Sequence, residues 1–230
     1  MVQLVVKRLI LIALALCLTG CVDYDLGIRF DSQTHGALTQ TLHLSERVAQ
    51  LNPTSAQQWL RQFEQQTRGK VQRLDGNTVK VTVPFYNGTD LSNTFNALFD
   101  TDSNPTLSQL PGSPQLPAHL DLSQKNWLLA LRNQISLDID LTSLTELRAQ
   151  ARDSWRVLNL AFHLVTPWGV KSAVGDTLMR GHETTWILKP GQVNHIEAIF
   201  WVPSPIGLGA GAITLVAISG YLVKYGLGKP

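Results

Sequence analysis

The chain has 230 residues, 44% of them hydrophobic and 16% charged, with a formal net charge of +2 and two cysteines. Its small basic excess sits at the ends: Lys7 and Arg8 open the chain, Lys224 and Lys229 close it, and all 17 acidic residues lie between positions 23 and 197. The interior is therefore slightly acidic, without a Lys/Arg cluster or a base-stacking motif, which excludes nucleic acid as a partner.

Lys7 and Arg8 precede an apolar run, 9–18, about ten residues long, which is too short to span a bilayer and fits the core of a signal peptide. The run ends in Leu18-Thr19-Gly20-Cys21. Small residues before a cysteine, at this spacing from the apolar run, form a bacterial lipobox. Cys21 is then the lipidated first residue of the mature chain and 1–20 the signal peptide. The other reading is an ordinary secretory signal with an incidental cysteine. Cys17 leaves with the signal, so the mature domain has no free thiol, and about 180 residues suffice for a core without disulfides.

Beyond Cys21, Val22, Tyr24, Leu26, Ile28 and Phe30 alternate with Asp23, Asp25, Gly27 and Arg29, the pattern of a strand with one buried face. Leu38, Gln40, Leu42 and Leu44 predict a second strand returning beside it after the His35-Gly36 turn. Asn52-Pro53-Thr54-Ser55 starts a helix whose apolar stripe is Trp59, Leu60 and Phe63 and whose end is Gly69. Asp75-Gly76-Asn77 predicts a hairpin between 71–74 and 79–83. Thr89 or Asp90 caps a short helix carrying Leu91, Phe95, Leu98 and Phe99. Segment 101–117, with Pro105, Pro111, Pro114 and Pro117, reads as an exposed loop or mobile flap.

Two further strands are expected at 127–132 and 135–141, turning at Asn133-Gln134. Ser143-x-x-Glu146 starts a brief helix. Leu158, Leu160, Phe162 and Leu164 give another strand, closed by Thr166-Pro167-Trp168-Gly169. The last pair, 185–188 and 194–202, is joined through Lys189-Pro190-Gly191. Together these predict an α+β fold: an antiparallel β-sheet with two or three short helices, in one exported domain, 21–203.

The stretch 206–223 has no charged residue over 18 positions. It reads as a transmembrane helix, assigned to 204–224, with 225–230 as a cytoplasmic tail. Phe200 and Trp201 before it, and Tyr221 and Tyr225 at its far end, suit the two interfaces, and Lys224 and Lys229 favour the cytoplasmic side. A buried core helix or glycine-rich loop is the alternative. Gly207-x-x-x-Gly211 offers a helix-packing face for another membrane helix.

Several runs resemble the cyanobacterial DUF3153 family. They are Gln124-x-Asn126-Trp127-Leu128-Leu129, Leu137-x-Ile139-Asp140-Leu141, Leu164-x-Thr166-Pro167-Trp168-Gly169, Trp186-x-Leu188-x-Pro190-Gly191-x-x-Asn194 and Phe200-Trp201-x-Pro203-Ser204-Pro205-Ile206-Gly207. The resemblance covers nearly the whole mature chain and implies no activity, since that family has no catalytic residues to carry over. The layout of lipidated cysteine, α+β domain and C-terminal helix is also similar, more loosely, to the LppM-like lipoproteins of actinobacteria. That likeness implies lipid binding in the envelope.

Chemistry is sparse. There is no Gly-x-Ser-x-Gly elbow, phosphate-binding glycine loop or His-Glu-x-x-His motif, so no catalytic, metal or cofactor site is assigned. His163, His182 and His195 are the histidines that neighbouring strands could gather. Asp23 with Asp25, and Asp138 with Asp140, share strand faces and read as solvated sides. Trp127, Trp155, Trp168 and Trp186 are either core filler or the lining of an apolar groove. The expected binding residues are Trp168, Phe200 and Trp201, near where the last strand enters the membrane. The chain thus reads as a non-enzymatic lipoprotein of the cell or thylakoid membrane, its main domain on the periplasmic or lumenal side and pinned to the bilayer at both ends. Its expected role is binding a lipid or other hydrophobic ligand at the membrane surface. The alternative role is an accessory or assembly factor for an integral membrane protein complex.

Overall fold

The computed structural model describes residues 22–46, 54, 57, 58, 60, 61, 64, 69–99, 117–144 and 158–226. The expected signal segment with Cys21, Trp59, Phe63, Trp155, the 101–116 stretch and all but the first residues of the brief helix expected from Ser143 lie outside them.

The first strand, β1 (Val22–Phe30), turns Tyr24, Leu26, Ile28 and Phe30 into the core and Asp23, Asp25 and Arg29 outward, as its alternation demands. It occupies the middle of a seven-stranded sheet. On one side it pairs antiparallel with β2 (Gly36–Leu44), which is followed outward by β4 (Thr78–Phe85) and β3 (Lys70–Arg73). On the other side it pairs in parallel with β7 (Leu158–Val165), followed by β10 (Glu183–Ile187) and β9 (Thr177–Arg180). A second, four-stranded sheet runs β5 (Ala118–Asn126), β6 (Ala130–Asp140), β11 (Val193–Pro203) and β8 (Val170–Val174). Apolar side chains of both sheets join one core, with Phe30 of the first sheet 4.8 Å from Phe200 of the second. The fold is therefore mostly β, in two sheets with a few helices. The expectation of one antiparallel sheet is corrected on the sheet count and on the parallel β1–β7 pair.

Helix α1 (Gly88–Phe99) covers one end of that core with Leu91, Phe95, Leu98 and Phe99. Its cap is Asn87, whose side-chain oxygen accepts the Asp90 N–H at 2.8 Å, while the Asp90 carboxylate accepts from the Tyr86 N–H. Thr89 and Asp90 thus lie inside the helix rather than capping it. Asn96 ties α1 to β5 by bonding both backbone groups of Leu120. Leu60, expected on a helical stripe, is helical and fully buried.

Two expected hairpins are corrected. Asn133-Gln134 is not a turn: Asn133 lies in mid-β6, buried, accepting from the Gln124 amide and donating to the Leu131 carbonyl. A buried amide satisfied across the strand pair keeps the chain extended where its polarity suggested a break. The turn comes earlier, at residues 127–129. Likewise β10 and β11 do not pair. The connection between them crosses from one sheet to the other, held by Asn194, which bonds the Lys189 N–H and the Lys189 and Gln192 carbonyls. The short strands β8 and β9 carry little alternation and were not expected.

The last element, α2 (Pro205–Tyr225), begins two residues after β11 ends. Ser204 caps it, its hydroxyl accepting the Gly207 N–H at 3.1 Å, and Pro205 takes the first helical position, where no N–H is needed. At ~1.5 Å per residue its 21 residues span about 31 Å, enough for a bilayer core. Beyond the first turn its apolar side chains lie away from the domain, exposed.

Candidate site at the helix end of the domain

Strand direction sorts the connections into two groups. One end of the domain carries the 31–35, 127–129, 166–169 and 181–182 turns and the exit of β11 into α2. The opposite end carries the start of β1 and the 188–192 crossing.

At the helix end, β6 and β11 keep register to their last residues, so Pro203 lies opposite Ala130 and the 127–129 turn sits against the start of α2. The Ser204 N–H donates to the Leu129 carbonyl at 2.9 Å. Gly207 packs directly on the Leu128 carbonyl, where any Cβ would collide, and a Cβ at Gly211 would lie 3.5 Å from the Leu129 side chain. The glycine face expected to receive another membrane helix is thus filled, at Gly207, by the domain's own hairpin. Close approach of backbones is what glycine permits in both cases, so the motif could not say which partner used it.

The turn itself is built by Asn126, whose side-chain oxygen accepts the Leu128 N–H at 2.9 Å, and by the Trp127 N–H donating to the Ala130 carbonyl. Three large apolar residues occupy its tip. Trp127 is 64% exposed, Leu128 77% and Leu129 47%. Leu128 takes φ 66°, a left-handed conformation that is uncommon for a branched side chain. The Trp127 ring meets Trp201 edge to face at 6.2 Å. On the other side of Trp201, Trp168 (54% exposed), Gly169 and Lys171 complete a cleft of about 320 Å³. Gly169, at φ 72°, closes the β7–β8 turn that presents Trp168.

Trp168 and Trp201 therefore line one cleft, and Trp127 packs on Trp201 from the other side. Phe200 is corrected: it is fully buried against Phe30, because alternation along β11 sends neighbours Phe200 and Trp201 to opposite faces. Trp186 is core filler, packed on Phe162 at 5.5 Å with its indole N–H donating to the Val174 carbonyl. Lys171 and the exposure of Leu128 were missed by sequence reasoning. An apolar triplet directly after an Asx-turn asparagine was the available signal for the second.

The histidines do not converge. His163 faces outward on the seven-stranded sheet, His195 outward on the four-stranded one, and His182 lies in the β9–β10 turn. His163 lies in an open polar groove of about 480 Å³ that also takes in Thr39, Thr82, Lys80 and Arg29. Its Nε2 is 3.6 Å from Asp25 and its Nδ1 2.9 Å from Glu183. Asp25 chiefly, and Glu183 after it, raise its pKa above the usual histidine value despite half-burial. His195 is raised likewise by Asp138 and Glu197. Asp140 is lowered by the hydroxyl and N–H of Thr142, and Asp23 accepts from Asn159. Each acid thus has a local partner, and no group of His, Cys, Asp or Glu among the described residues has metal-binding geometry.

The fold and this end of it define a β-domain joined without a linker to an apolar, membrane-length helix. The chain belongs to the DUF3153 family, described as a protein of unknown function, whose model matches residues 26–225. Among solved structures it is similar to the folded domain of LppM from Mycobacterium tuberculosis, determined by NMR, with 17% identity, a TM-score of 0.39, and coverage of 81% of this chain and 93% of that one. No curated protein matches it.

Proposed function

We propose that this is a membrane-anchored, non-enzymatic protein whose exported domain binds lipid, or another hydrophobic ligand, at the bilayer surface through its helix end. In this reading Cys21 is acylated and α2 crosses the membrane. The observation that carries the proposal is the Trp168–Lys171–Trp201 cleft beside the start of α2. Indole rings favour the interfacial depth at which a membrane helix emerges, and a lysine among them complements a phosphate headgroup.

A separate open polar groove lies on the outer face of the seven-stranded sheet, away from this cleft. Mild-detergent purification of the full chain with mass spectrometry of retained lipids tests the reading. Trp168→Ala and Lys171→Ala should each reduce recovered lipid several-fold. Recovery equal to the parent protein in both would reject the cleft as the site.

A further inference from the structure

We infer that the β5–β6 hairpin tip, Trp127-Leu128-Leu129, inserts into the leaflet from which α2 emerges and so seats the domain end-on, with anionic lipid headgroups as its partner. The inference rests on the reading of α2 as a membrane span.

The tip spends conformational energy to expose apolar surface. Glycine or asparagine would take the left-handed conformation of Leu128 more easily, yet a leucine stands there with its side chain in the open. The tip is also fixed in place. The Ser204–Leu129 hydrogen bond and the Gly207 contact lock it to the first turn of α2, so it shares that helix's depth.

Charge on the outer face of the four-stranded sheet is graded along the strands. Next to the apolar tip, Lys125 stands directly opposite Arg132, and Arg132 opposite Trp201, with Lys171 in the adjoining cleft. Like charges facing each other across a strand pair destabilise a sheet, unless anions lie between them. The acidic residues of this face, Asp121, Glu197, Asp138 and Asp140, begin further toward the opposite end, with His119 and His195 among them. Apolar tip, then cations and indoles, then acids is the order in which a domain standing on an anionic leaflet meets acyl chains, headgroups and water.

The full-length protein in nanodiscs tests this, with an environment-sensitive fluorescent amino acid placed singly at positions 128, 178, 193 or 216 and a spin-labelled lipid as quencher. Leu178 lies on the edge strand β9, Val193 at the opposite end of the domain, and Val216 within α2. Quenching at 128 and 216, several-fold above that at 178 and 193, is the expected result. Replacing Lys125 and Arg132 together with glutamate should make quenching at 128 insensitive to the fraction of anionic lipid. Quenching at 216 without quenching at 128 overturns the inference while sparing the membrane span. No quenching at 216 removes the span itself. Equal quenching at 128 and 178 overturns it in favour of a domain lying on its β9 edge. A blue shift at 128 without lipid quenching overturns it in favour of contact with a second copy.

Discussion

His163 holds its proton more firmly than a free histidine because Asp25 and Glu183 face it across the sheet surface. Its folded pKa is raised, so the stabilisation from these contacts is complete below the ordinary value of about 6.5 and is lost as pH climbs through the higher folded value. His163→Gln should therefore melt below the parent protein at pH 5.5 by a margin worth at most ~1 kcal/mol, and the margin should shrink by pH 9. A margin constant with pH would show that packing, not charge, fixes this ring. Phe200 and Trp168 make the sharper contrast, one buried and one exposed. Phe200→Ala removes a ring buried between the sheets and should cost ~3–5 kcal/mol. Trp168→Ala trims an exposed turn residue and should stay within about 0.5 kcal/mol in denaturant unfolding, while reducing lipid recovery. A large stability loss for Trp168→Ala would reassign that indole from ligand to core.

Among the elements, the joint between hairpin and helix is the one most open to a single substitution. Gly207→Ala drives a methyl group into the Leu128 carbonyl, so the hairpin must leave the helix or the core must shift, at a cost of ~1–3 kcal/mol. Gly209→Ala, two positions on, meets nothing and should be neutral or slightly stabilising through helix propensity. Thermal melts of the two variants in detergent separate the effects, and equal melts would mean that Gly207 does not bear on the joint. The strands themselves were legible wherever one face is buried. β1, β2, β4, β7 and β11 show period-two alternation because their two faces meet oil and water. The asparagines misled: Asn133 looks like a turn residue yet is a satisfied core amide, and Asn126, directly before the strand expected at 127–132, makes the real turn. The two-sheet division was also out of reach. Nothing local in residues 188–193 says whether the chain folds back on the same sheet or crosses to the other. The pairing of β1 with β7, 136 residues apart, leaves no local trace. At the site, indole positions were readable from the sequence, but the face each occupies depended on strand phase, which is why Phe200 was placed with Trp201.

At the scale of the whole molecule, the decisive fact is direction. β1 starts at Val22 and ends at Phe30, whose ring touches Phe200 just before β11 passes into α2. Eight residue steps of ~3.3 Å put Val22 about 26 Å from Phe30 along the strand. Both neighbours of β1 hold it along its length, since Val22 pairs with Leu44 and with Leu158. The two anchors expected from the sequence therefore leave the domain at opposite ends, so with β1 intact both enter one bilayer only if the domain lies on its side. With the helix end seated as inferred above, the start of β1 stands at the end of the domain remote from the bilayer that holds α2, so an acyl chain attached just before it, if Cys21 is acylated, would not reach that bilayer. It is expected to enter a facing membrane instead. Full-length protein acylated in the cell and reconstituted into one vesicle population should then cluster added protein-free vesicles, read by light scattering and by electron cryomicroscopy of the gap. Cys21→Ser should stay in its own bilayer through α2 and lose the clustering. A long flexible insertion between Cys21 and Val22 should release the constraint, giving a wider and less uniform gap or insertion into the same membrane. If the acylated parent protein leaves vesicles dispersed, both anchors share one bilayer. Either β1 then opens at its start or the domain lies on its side, and the fluorescence at position 178 tells which.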